Sequence, residues 1–141
     1  MKTLFASVLI MVFVGCACKR QNAMEAALDN YVAETEADIS DFRAILFIPL
    51  EGCGSCIQHG VEFYKENADN TEILFVFCTY KPYGYDFLKN NNRGNVIIDK
   101  KNIAIKNQIL TTAPVLYKHD GERFVCLGTA TGDFDFNVIY H

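Results

Sequence analysis

The chain has 141 residues, 13 of them basic and 17 acidic, for a formal net charge of −4 at pH 7. Half of it (50%) is apolar and 13% is aromatic, which excludes a disordered chain, because such chains have few large apolar side chains and a high net charge. The length fits one domain that buries roughly two-thirds of its unfolded surface, and the mild acidity argues against a general nucleic-acid binder, which needs a clustered basic surface.

Met1 and Lys2 are followed by an uncharged run through Gly15, with an apolar core from Val8 to Val14. The run is shorter than the roughly twenty apolar residues that span a bilayer, so residues 1–15 read as a signal peptide. Phe13-Val14-Gly15-Cys16 resembles a bacterial lipobox, in which a small residue precedes a cysteine that is lipidated and becomes the mature N-terminus. Cys18 is a weaker match, since Cys16 would then stand two positions before the lipidated residue. The resemblance implies a lipid on Cys16, a tether over residues 16–23 and a domain over residues 24–141. The domain would face an extracytoplasmic space of a bacterial cell envelope, the periplasm, where disulfides persist.

Residues 22–38 carry apolar side chains at near-helical spacing, among them Met24, Leu28, Tyr31 and Val32. Ala44-Ile45-Leu46-Phe47-Ile48 is an unbroken apolar run suited to a strand buried on both faces. A helix follows over residues 56–67, with Ile57, Gly60, Val61 and Tyr64 on one face, and residues 73–78 form a second buried strand. A short helix around Phe87 and Leu88, a strand at residues 96–98 and a short helix over residues 103–110 come next. Residues 114–119 and 123–127 flank Asp120-Gly121, a hairpin signal. Alternating strands and helices predict an α/β layer structure, with the hairpin adding an antiparallel edge.

The sharpest chemical feature is Glu51-Gly52-Cys53-Gly54-Ser55-Cys56, placed between a buried strand and a helix. A helix start presents unpaired N–H groups and a partial positive charge, which favour a thiolate. Cys53 is expected to be the exposed nucleophile that attacks a disulfide, and Cys56, one turn on, the thiol that resolves the mixed disulfide. Glu51 is expected to oppose the thiolate.

With these features in place, residues 43–128 resemble the thioredoxin-like superfamily, especially its periplasmic thiol–disulfide and peroxiredoxin-related branch. The strand leading to Gly52-Cys53-Gly54-Ser55-Cys56 carries the resemblance, with Val96-Ile97-Ile98-Asp99-Lys100-Lys101 and Thr112-Ala113-Pro114-Val115-Leu116-Tyr117 ahead of Asp120-Gly121. It implies a three-layer α/β/α sandwich with a mixed central sheet and a C-terminal β-hairpin. It also implies a cis Ala113–Pro114 bond and an Ala113 backbone beside Cys53 that pairs with substrate chain. The activity implied is disulfide exchange with protein thiols or disulfides and a redox partner. The Cys53–Cys56 pair itself would be the redox group, with no cofactor or metal. Gly52 stands where thioredoxins carry tryptophan, Phe47 where many carry a buried acid, and the chain after Gly128 is short for the family's last helix.

These departures also fit a binding or structural module on the same fold, with Cys53–Cys56 as an inert staple. A copper-handling protein is a third reading, since thiolates suit Cu(I), although no Met or His adjoins the pair. Cys78 and Cys126 read as core packing, His59 as a packing or surface residue one turn beyond Cys56, and His119 and His141 as solvated.

Overall fold

The computed structural model describes residues 21–81, 84–89, 93–110 and 112–141. The signal segment, Cys16 and Cys18 lie outside the described residues, as does most of the proposed tether. Five strands and three helices form a mixed α/β arrangement among these residues. Helix α1 covers residues 21–35, and β1 (Ala44–Pro49), α2 (Gly54–Asn67) and β2 (Ile73–Cys78) follow. Then come β3 (Val96–Asp99), α3 (Ile103–Lys106), β4 (Val115–His119) and β5 (Phe124–Thr129).

The sheet order is β3-β2-β1-β4-β5. β1 runs parallel to β2 and β2 parallel to β3, while β4 is antiparallel to both β1 and β5. All six residues of β1 and all six of β2 are buried, which accounts for their continuous apolar runs. Successive side chains of β1 point to opposite faces. Ile45 and Phe47 pack with Ala27, Leu28 and Tyr31 of α1 and with Ile103 and Ala104 of α3. Ala44, Leu46 and Ile48 pack with Phe63 and Tyr64 of α2. The sheet is thus the middle of three layers.

Several short elements depart from expectation. The helix expected around Phe87 is a single 3₁₀ turn, Asp86–Leu88, and the expected helix over residues 103–110 keeps only four residues in α3. Between β4 and β5, Leu116 pairs with Gly128 and Tyr117 with Cys126, so Leu127 is an extra, outward residue. Phe124 and Cys126 still pack partly buried against the α1 layer. At the C-terminal end of the described residues, a 3₁₀ segment, Phe136–Tyr140, closes the α2 layer. Phe136 stacks on Phe63 with ring centroids 4.6 Å apart.

The cis bond implied for Ala113–Pro114 is not present: no cis peptide bond occurs among the described residues, and this one is trans. A proline immediately before a strand loses no ladder hydrogen bond, so trans geometry suffices. The Pro114 carbonyl accepts from the Ala130 N–H at 2.7 Å. Its ring packs so closely on α2 that a Cβ added at Gly60 would lie 2.9 Å from Pro114 Cγ.

Candidate redox site

β1 delivers the chain to the rim of the sheet. Leu50 N–H continues the pairing by donating to the Cys78 carbonyl at 3.0 Å, and Tyr85 Oη donates to the Leu50 carbonyl at 2.8 Å. Gly52 then takes φ +143°, where a Cβ would lie 2.9 Å from the Thr112 carbonyl oxygen. Only glycine combines that backbone with that approach. The approach lets Cys53 N–H donate to Thr112 O at 3.0 Å. The strand-preceding segment therefore meets the cysteine loop through Thr112. Ala113, whose backbone the resemblance sets beside Cys53, follows Thr112 directly and is 6% exposed.

Cys53 is the N-cap of the 14-residue α2, in extended conformation, and its carbonyl accepts from Ile57 N–H at 2.9 Å. The first turn of α2 holds no acidic residue to offset the positive end of the helix. Cys53 is half-buried and Cys56 buried, and both are thiols. Their sulfurs lie 2.8 Å apart, with Cys56 the partner of Cys53, and Ser55 Oγ is 3.6 Å from Cys53 Sγ. The hydrogen bonds from Cys56, first from its thiol and then from its backbone, together with that from the Ser55 hydroxyl, lower the Cys53 thiol to about 7. The same thiol–thiol bond, and then desolvation, push Cys56 up. One sulfur is a reachable nucleophile near neutral pH, and the other is held protonated behind it.

Glu51 does not act on this thiol as expected. Its carboxylate accepts from Thr79 Oγ1 at 2.6 Å, and Thr79 Oγ1 in turn accepts from Lys81 N–H at 2.9 Å. Cys53 is shifted by Cys56 and Ser55, whereas Glu51 contributes to raising Cys78 and Tyr85. Cys78 faces the α1 layer, away from α2, and its thiol lies 3.8 Å from Asp99 Oδ2. Burial pushes that thiol well up, and the Asp99 charge adds to it, which makes Cys78 inert. His59 Nε2 lies 2.9 Å from the Phe134 carbonyl, and its ring packs on Phe136, so it braces the C-terminal segment. His119 Nδ1 accepts from Gly121 N–H at 3.1 Å in the hairpin.

Sequence reasoning missed Thr112, Thr79 and Tyr85, which fix the loop from distant parts of the chain. No local pattern marks Thr79 or Tyr85, and Thr112 stands in the sequence only as part of the segment ahead of Pro114. Ser55 was visible as part of the motif, but its contact with the sulfur was not. Among the described residues, no group of three or more His, Cys, Asp or Glu side chains is arranged to hold a metal ion.

No family model, curated protein or solved structure matches this chain. The fold and site define a mixed α/β domain that carries a dithiol at a helix mouth.

Proposed function

We propose that the protein is a thioredoxin-like thiol–disulfide oxidoreductase, anchored in a bacterial cell envelope through a lipid on Cys16, that exchanges disulfides with protein substrates through Cys53 and Cys56. The observation that carries this reading is the Cys53 thiol, lowered to about 7 and set 2.8 Å from Cys56 Sγ. The Cys53 thiolate attacks one sulfur of a substrate disulfide. The substrate S–S bond breaks, a Cys53–substrate disulfide forms, and the released thiolate takes up a proton.

Resolution follows from the same hydrogen bond. While Cys53 is a thiolate, it holds the Cys56 proton. Once Cys53 is bonded to substrate, that charge is gone and Cys56 is freed to ionise. The Cys56 thiolate then attacks Cys53 Sγ, the second substrate thiolate leaves, and a Cys53–Cys56 disulfide remains. Two electrons have passed from the dithiol to the substrate. The reverse sequence oxidises a dithiol substrate, and the direction follows the relative reduction potentials.

In an assay with a small disulfide-bonded protein, Cys53→Ser is expected to abolish exchange. Cys56→Ser is expected to accumulate a mixed disulfide through Cys53, visible as a mass adduct. Wild-type turnover by Cys53→Ser would overturn the assignment. A wild-type protein that exchanges with no disulfide substrate would leave the pair a structural staple.

A further inference from the structure

The path of α1 relates the proposed anchor to the proposed chemistry. β1 starts at one rim of the sheet with Ala44 and ends at the other with Pro49, next to the Cys53 loop. Met24, near the start of the described helix, accepts through its carbonyl from Tyr117 Oη at 2.9 Å, and Tyr117 pairs with Ile45. Glu25 pairs with Arg123 Nη1 at 2.7 Å. Arg123 closes the β4–β5 hairpin, which lies level with the start of β1, because His119 N–H donates to the Arg43 carbonyl at 2.9 Å. Further along α1, Tyr31 packs on Phe47 with ring centroids 5.1 Å apart, and burial pushes its phenol up, with the Asp99 charge adding to it. Asp99 and Cys78 end β3 and β2 at the Cys53 rim. The helix thus enters at the hairpin rim and climbs toward the dithiol rim.

We infer that the domain stands on the membrane by its hairpin rim, with the Cys53 mouth opening away from the bilayer toward thiols and disulfides on soluble or far-projecting partner domains. This orientation rests on the lipid-anchor reading. Cys16 precedes the described helix by five positions, which reach at most about 18 Å even fully extended. The five steps of β1 from Ala44 to Pro49 set the two rims about 17 Å apart, and the Cys53 loop lies beyond the Pro49 end, so even a fully extended tether doubling back along the domain barely reaches that rim. A disulfide lying in the plane of the membrane is therefore on the wrong side of the domain from Cys53.

The full lipidated chain in phosphatidylcholine vesicles tests this. One sample carries a fluorophore on Cys53 in a Cys18→Ser, Cys56→Ser, Cys126→Ser background, and another carries it at the exposed hairpin in the same background with Cys53→Ser and Glu122→Cys. The vesicles contain a lipid with a nitroxide on its headgroup. Quenching is expected to be several-fold stronger at the hairpin than at Cys53. Equal or stronger quenching at Cys53 in protein that floats with the vesicles would overturn the orientation alone. Flotation in a density gradient separates the two readings: the wild-type chain should float and Cys16→Ser should not. A wild-type chain that does not float would overturn the anchor and the orientation with it.

Discussion

Cys53 and Cys56 are identical side chains in one helical turn, yet one thiol is lowered and the other raised. The difference is positional: Cys53 is the half-buried N-cap, and Cys56 is buried behind it and stabilises its thiolate by a hydrogen bond. Removing the Cys56 thiol therefore acts on Cys53. Because the hydrogen bond stabilises the thiolate, its loss should move the Cys53 ionisation upward, toward that of an ordinary cysteine. The rate of Cys53 alkylation against pH should have a midpoint of about 7 in the wild type and a higher one in Cys56→Ala. An unchanged midpoint would show that the helix mouth alone sets the acidity. The two glycines beside Cys53 give opposite expectations. Gly52→Ala must hold a side chain at φ +143°, against the Thr112 carbonyl, and should cost ~1–3 kcal/mol in urea denaturation and slow exchange. At Gly54 nothing lies within 4 Å of an added Cβ, so Gly54→Ala should be neutral or gain up to about 1 kcal/mol of helix stability.

At the scale of elements, what was legible in the sequence follows from how far each element's stability is local. β1 and β2 were readable because both of their faces are covered, so each six-residue run is apolar throughout. α2 was readable from Ile57, Gly60, Val61 and Tyr64, of which Gly60 and Tyr64 are buried and Ile57 and Val61 only half-buried. α3 has only four residues and no period to read. Its start is fixed by Asp99 Oδ2, which accepts from Ala104 N–H at 2.8 Å across the β3–α3 turn. That bond gives a physical role to the aspartate after the third strand, which the sequence showed only as a resemblance. Asp99→Ala leaves the buried Ala104 N–H without this acceptor and should cost ~1–3 kcal/mol by the same denaturation. The clamp on the cysteine loop was equally illegible, because Thr79, Tyr85 and Thr112 reach it from 28 to 59 positions away in the chain. The trans Pro114 shows the opposite failure. The resemblance implies a cis bond, whereas close packing on Gly60 needs only an ordinary trans proline.

For the whole molecule, the question is whether the layer that lacks a terminal helix is nevertheless closed. No helix among the described residues is long and apolar enough to cross a membrane, and packed side chains cover both faces of the sheet. On the α2 side, that work falls to the last residues. Phe136, 4% exposed, stacks on Phe63 and lies against His59 and Phe134, and His59 Nε2 holds the Phe134 carbonyl. Ile139 joins the same layer, and Lys118 Nζ donates to the Val138 carbonyl at 3.1 Å. The segment covers the middle of α2, whereas the dithiol occupies its first turn. Stability and acidity should therefore separate. Phe136→Ala removes a buried ring and leaves a cavity, at a cost of ~3–5 kcal/mol in urea denaturation. The Cys53 alkylation midpoint should stay at about 7 under conditions where the variant is folded, because Cys56 and Ser55 set it from the first turn of α2. A midpoint that rises with the loss of stability would mean that the terminal segment holds α2 in place and that the acidity of Cys53 belongs to the assembled layer rather than to its first turn.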